Sequence, residues 1–70
     1  MNRVSVSSAV MRSVGYDAAT RVLEVVFNNG SVYEYLDVPG EHFDALLSAA
    51  SKGHFFNSRV RPAFRFVRVV

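Results

Sequence analysis

Between residues 21 and 37 the chain reads RVLEVVF, then NNG, then SVYEYLD. Two runs of β-branched and aromatic residues flank three residues that tolerate positive φ, which specifies a β-hairpin. The register decides which residues share a face. A three-residue loop, Asn28-Asn29-Gly30 with Gly30 as the bulge, places Phe27 opposite Ser31, Val25 opposite Tyr33 and Leu23 opposite Tyr35. A two-residue Asn29-Gly30 turn pairs Asn28 with Ser31 and Val25 with Glu34 instead. The first register is preferred, because it gathers Leu23, Val25, Phe27, Tyr33 and Tyr35 on one face. It also sets Glu24 against Glu34, which is unfavourable unless a cation lies near. The other face then carries Val22, Val26, Val32 and Leu36, so both faces of the hairpin are expected to be covered.

The rest of the chain is read around this hairpin. Ala9 to Tyr16 has strand character, and the DAAT segment (17–20) is a turn in which Asp17 bonds nearby amides. Pro39 ends the hairpin and opens a helix. From Glu41 onward, Phe43, Leu46, Leu47 and Ala50 fall on one helical face. Glu41 and Asp44 suit the positive end of that helix, Lys52 suits its negative end, and Gly53 suits a left-handed stop. HFFNSRV (54–60) reads as one helical turn, with Asn57 capping or bridging it. AFRFVRVV (63–70) has a strand's composition. It sets Arg65, Val67 and Val69 on one side and Phe64, Phe66, Arg68 and Val70 on the other. The expected fold class is therefore α+β: a three-stranded antiparallel meander, an amphipathic helix, a short helical turn and a C-terminal strand. Residues 1–70 form a single domain, with 1–7 as a flexible arm and 63–70 as a C-terminal strand or arm.

A chain of 70 residues buries only about 60% of its unfolded surface, and such domains usually add disulfides, a metal or a partner chain. Cysteine is absent, which excludes disulfides and thiolate metal sites. Half of the residues are hydrophobic. A homodimer is the expected supplement. Serines interrupt the apolar start, and no run approaches the roughly 18 residues of a membrane span, so a cytoplasmic protein without a membrane partner is expected.

No catalytic signature is present. The histidines, His42 at the helix start and His54 beside Gly53, belong to no triad or zinc spacing, and His42 is expected at the surface. There is no nucleophile elbow, no Walker loop and no dinucleotide fingerprint. The chain is expected not to be an enzyme and to need no cofactor, metal or small-molecule substrate.

Charge is more informative. Over residues 1–45, Arg3, Arg12 and Arg21 stand against Asp17, Glu24, Glu34, Asp37, Glu41 and Asp44, a net −3. Residues 46–70 hold Lys52, Arg59, Arg61, Arg65 and Arg68 without an acid, a net +5. Such asymmetry points to a polyanion or to pairing between halves or chains. Lys52, Arg59, Arg61, Arg65 and Arg68, joined by Arg12, are the candidate phosphate contacts. Tyr33 and Tyr35, or Phe55 and Phe56, are candidates for stacking on bases where exposed. The competing assignments are core packing for the rings and solvated edge charges for the arginines.

GYD (15–17), LEVVFNNG (23–30), YEYLDVP (33–39) and SKGHFFNSRVR (51–61) together resemble the KTSC domain. That short bacterial domain occurs alone and at the C-terminus of some lysyl-tRNA synthetases. Its hallmark tyrosine-x-tyrosine is carried here by Tyr33 and Tyr35, and the resemblance covers about residues 7–64. It implies a compact α+β domain and a nucleic-acid-binding role, and it supplies no catalytic residues. Residues 65–70 lie beyond it. Arg61, within it, can alternatively brace Asp37 or Glu34.

The resulting expectation is a dimeric, transcription-regulator-like protein that binds nucleic acid, DNA in preference to RNA, through its C-terminal arginines. The alternative is a protein-interaction module in which the tyrosines and the last strand form the interface. Arg65 and Arg68 fall on opposite sides of a regular strand. They form one basic surface only through a twist, a bulge or a second chain.

Overall fold

A computed structural model describes residues 3–70. Five strands form one antiparallel sheet in sequence order: β1 (Arg3–Ser5), β2 (Met11–Asp17), β3 (Val22–Phe27), β4 (Val32–Tyr35) and β5 (Phe66–Arg68). Helices α1 (Gly40–Ser48) and α2 (Lys52–Phe55), followed by a π-helical turn (Phe56–Val60), connect β4 to β5. The class is α+β, as the hydrophobic patterning required.

The hairpin adopts the preferred register. Leu23 faces Tyr35, Val25 faces Tyr33 and Glu24 faces Glu34. The Phe27 amide donates to Ser31 O at 2.9 Å, and Gly30 takes φ +90°, a conformation that a Cβ disfavours. The Asp17 turn also forms as read, with Asp17 Oδ1 accepting from the amides of Ala19 (3.0 Å) and Thr20 (3.4 Å).

The first departure is at the start of the chain. Residues 3–5, expected in a flexible arm, are an edge strand that pairs Arg3 with Gly15 and Val4 with Val14; residues 1–2 of that arm lie outside the described residues. The sheet thus has four strands before the helices, not three. The physical reason is charge as well as backbone pairing. The Arg3 guanidinium binds the Glu24 carboxylate and so supplies the cation that the Glu24–Glu34 pair needs.

The second departure is a β-bulge. Met11 faces Phe27 and Ser13 faces Val26, leaving Arg12 without a partner in the ladder. The extra residue lets Met11 and Val14, three apart, both be fully buried on the same face.

The third departure is in the helix. Leu46 is buried and Phe43 and Leu47 are half-buried, as the periodicity indicated, but α1 ends at Ser48 and leaves Ala50 exposed outside it. Ser51 starts a new helix by accepting from the His54 amide. Gly53 therefore stops nothing. It lies inside α2, where an added Cβ would come within 3.1 Å of Val10 Cγ2 and 3.2 Å of Ser8 Oγ. Its requirement is close approach of α2 to the β1–β2 connection. Lys52 does serve a helix-end carbonyl, donating to Ala49 O at 3.2 Å. The following turn is bridged by Ser58, whose hydroxyl donates to His54 O at 2.7 Å, while Asn57 is exposed. His42, expected at the surface, is half-buried with its ring edge-on to Phe64.

The core comprises Met11, Val14, Leu23, Val25, Tyr35, Val38, Leu46, Phe56 and Val60. It lies between the helices and one face of the sheet. Two cross-layer contacts fix the seating: Tyr16 stacks on Phe43 at 5.2 Å and donates its hydroxyl to Val38 O. The expectation that both hairpin faces are covered holds for this face. On the other, Val26 and Val32 face each other across the hairpin and bury one another, whereas Val67 at the edge is 52% exposed.

Candidate nucleic-acid interface

The C-terminal segment returns to its own sheet. Tyr33 faces Arg68, Glu34 faces Val67 and Tyr35 faces Phe66. This pairing puts Phe66 next to the hairpin tyrosines. Phe66 stacks on Tyr33 with ring centres 5.2 Å apart, and Tyr33 meets Phe27 edge-on at 5.2 Å. Beneath them, Phe56 is fully buried and packs edge-on against both Phe27 and Tyr35.

The rings of Phe27, Tyr33, Tyr35 and Phe66 wall a cleft of about 520 Å³, whose polar lining is Asn28, Asn29, Ser31 and Arg61. Among the described residues, no carboxylate side chain lines it. The volume falls within the range of small-molecule pockets. The Arg61 guanidinium lies over the rings of Phe56 and Phe27, at 5.3 and 6.0 Å from their centres. It braces neither Asp37 nor Glu34.

Two further arginines reach the rim. The bulge aims Arg12 at the hairpin loop, where it donates to the carbonyl of Asn28 at 3.1 Å. Arg68 donates to Ser31 Oγ at 3.4 Å and lies 6.0 Å from the centre of the Tyr33 ring. Arg61 thus lines the cleft, while Arg12 and Arg68, from two other parts of the chain, bond its rim residues Asn28 and Ser31, and Arg68 also donates to Val70 O at 3.2 Å. The other expected cations do not join them. Arg65 pairs with Asp37 at 3.5 Å in full solvent exposure, a contact worth at most about 1 kcal/mol. Lys52 lines a second cleft with Ser8, His54 and Asn57, and Arg59 is exposed on the π-helical turn.

The aromatic candidates also divide. Tyr35 is 2% exposed and is a core residue, so it cannot stack on a base. Burial pushes its hydroxyl pKa up, and the nearby Arg61 charge draws it partly back. Phe56 is excluded by burial too, and Phe55 is half-buried against the core. Tyr33 is half-exposed but already faces Phe66. Phe66, which the sequence reading did not single out, is the open platform at 54% exposure. Its signal was available: once β5 lies beside β4, an aromatic residue opposite Tyr35 must share the tyrosine face.

Among the described residues, no group of three His, Cys, Asp or Glu side chains could hold a metal ion. No helix among them is long and apolar enough to cross a membrane.

The arrangement defines a small antiparallel α+β domain with an arginine-rimmed aromatic cleft. The KTSC domain family model matches residues 7–64, and the chain belongs to the KTSC domain family. It is 43% identical to an uncharacterized protein of Stutzerimonas stutzeri over 70 residues, covering 99% of both chains. It is 38% identical over 58 residues to a lysine–tRNA ligase of Nostoc punctiforme; the match spans 83% of this chain and 10% of the ligase. The crystal structure of a KTSC domain protein from Yersinia pestis superposes with a TM-score of 0.95 at 36% identity, covering 99% of this chain and 97% of that one.

Proposed function

We propose that this domain is a non-enzymatic nucleic-acid-binding module whose cleft takes unpaired nucleotides. One observation carries the reading: Arg61 lies in an aromatic cleft lined, among the described residues, by no carboxylate, and Arg12 and Arg68 bond its rim residues Asn28 and Ser31. A base can lie on the exposed ring of Phe66, where stacking contributes about 1–3 kcal/mol. Asn28, Asn29 and Ser31 offer donors and acceptors for its edge. The flanking phosphates then fall to Arg12, Arg61 and Arg68. Stacking on Phe66 needs a free base face, which shifts the proposed ligand from duplex DNA toward a single strand. Charge and base faces are shared by DNA and RNA. The relative named as a lysine–tRNA ligase acts on an RNA by its name, which makes RNA a necessary arm of the test.

The test is fluorescence anisotropy with labelled single-stranded DNA, single-stranded RNA and matched duplexes. Single strands should bind better than duplexes, with affinity falling by about 0.7 log units per phosphate contact for each log unit of salt. Equal or tighter duplex binding would return the ligand to the groove-contact model. Binding to none of the four at low salt would overturn the reading.

The second reading, a protein-interaction module, is favoured by the apolar edge of β5. Phe66, Val67, Val69 and Val70 are each more than half exposed there. The same apolar edge is what supports the homodimer proposed from the chain's size.

A further inference from the structure

Strand β5 is the last strand of the sheet, and among the described residues its outer side meets no other strand. In an antiparallel ladder, alternate residues turn their backbone groups toward the neighbouring strand. The Leu36 amide donates to Arg65 O, and the Val69 amide donates to Val32 O. Residues 65, 67 and 69 therefore bond to β4, and Phe66 and Arg68 turn their amides and carbonyls outward. An edge of this kind, bearing exposed apolar side chains, is a template for another strand.

We infer that the occupant of this edge is β5 of a second copy, paired antiparallel about a two-fold axis at Val67. Val67 is the midpoint of the strand, so this axis pairs the whole of residues 65–69 with its copy. Phe66 then exchanges both backbone bonds with Arg68 of the partner subunit, and Arg68 with Phe66 of the partner subunit. A guanidinium lies beside an aromatic ring twice over, which is favourable pairing. An axis at Arg68 would instead set two guanidinium groups against each other, and an axis at Phe66 would leave half of the strand unpaired.

Phe66 and Arg68 lie on the cleft side of the sheet, with Tyr33 and Tyr35. The pairing therefore brings Arg68 of the partner subunit to the rim of each cleft and places the two clefts side by side on one ten-stranded sheet. This explains how a strand with arginines on opposite sides contributes to one basic surface. The strand pairing rests on geometry alone; its consequence for the clefts rests on the nucleic-acid reading.

The chain contains no cysteine, so single-cysteine variants report the axis directly, without nucleic acid. Val67 and its copy form a non-hydrogen-bonded pair about 4.5 Å apart, within disulfide reach. Val69 and its copy lie about 13 Å apart at about 3.3 Å per residue. Under mild oxidation, Val67→Cys should become a covalent dimer and Val69→Cys should remain largely monomeric. Equal cross-linking of the two would overturn the axis. Sedimentation gives the second readout. Arg68→Pro removes the outward amide together with the side chain and should yield a folded monomer, whereas Arg68→Ala, which removes the side chain alone, should still associate. A wild-type chain that sediments as a monomer at millimolar concentration would overturn the pairing, whatever its affinity for single strands.

Discussion

The Arg61 guanidinium carbon lies 5.3 Å from the centre of the Phe56 ring. That ring is fully buried and is held edge-on by Phe27 and Tyr35. A long, flexible side chain is thereby seated against a rigid aromatic cluster at the edge of the cleft. Ordering it before a ligand arrives lowers the entropic cost of using it. The guanidinium also stays unpaired by any carboxylate in the cleft, so its donors remain available to an anion.

Arg61→Ala should weaken single-strand binding about 10- to 100-fold, the range for a hydrogen bond to a charged group at about 1.5–3 kcal/mol. It should also flatten the salt dependence by about 0.7 log units. Arg61→Lys keeps the charge but loses the planar fork, and should restore the salt slope with only part of the affinity. Anisotropy titrations at several salt concentrations read both quantities. By contrast, Arg65→Ala should leave binding nearly unchanged, because Arg65 pairs with Asp37 away from the cleft.

The Glu24–Glu34 pair gives a stability prediction. Arg3→Ala removes the cation bound to Glu24 and leaves two carboxylates facing each other. Stability to denaturant should fall, and the loss should shrink as salt is added. Glu34→Gln in the Arg3→Ala background should recover most of it. Urea melts of the two single variants and the double variant test the coupling.

Gly30→Ala isolates a backbone effect. Gly30 has φ +90°, and an added Cβ would meet no atom within 4 Å. The cost is therefore conformational alone, about 1 kcal/mol. Chemical denaturation should show a lower midpoint with an unchanged slope. No loss of stability would mean that the loop relaxes to another turn type.

Tyr35 makes stability depend on alkaline pH. Burial raises its pKa in the folded state, so the folded protein holds the proton that the unfolded chain releases above pH about 10. The stabilisation is complete below the unfolded value and is lost as pH rises through the folded one. Melting temperatures should drop from about pH 10 upward, and Tyr35→Phe should reduce that dependence.

Much of the fold was legible in the sequence because local chemistry and global packing agreed. The Asn28-Asn29-Gly30 loop and the alternation on either side of it specify one register, and Asp17 specifies its turn. Other elements were obscured by competition. Three residues are too few to read as a strand, so β1 emerges only through its pairing with β2 and the Arg3–Glu24 contact. The apolar pattern of α1 runs on to Ala50, but the cap supplied by Ser51 breaks the helix before it. The bulge at Arg12 left one trace, the spacing of Met11 and Val14, which a regular strand cannot satisfy. The cleft was least legible. Its walls come from residues 9–10, 27–35, 61 and 66: Val10 meets the hairpin loop through the Asn28 amide, Arg61 comes from the helical segment, and the return of β5 to β4 adds Phe66. Tyr33 and Tyr35 therefore looked like equivalent rings, although Tyr33 is half-exposed and Tyr35, at the base of the same cleft, is buried in the core.

The most direct measurement is an amide NMR titration of the full chain with a short unpaired oligonucleotide, DNA in one arm and RNA in the other. Shifts should cluster on Phe27 to Tyr33, Arg61 and Phe66, with little change on the Val26–Val32 side of the sheet. Shifts centred on Lys52, Arg59 and the second cleft, or no shifts at millimolar oligonucleotide, would contradict a nucleotide-binding role for the arginine-rimmed cleft.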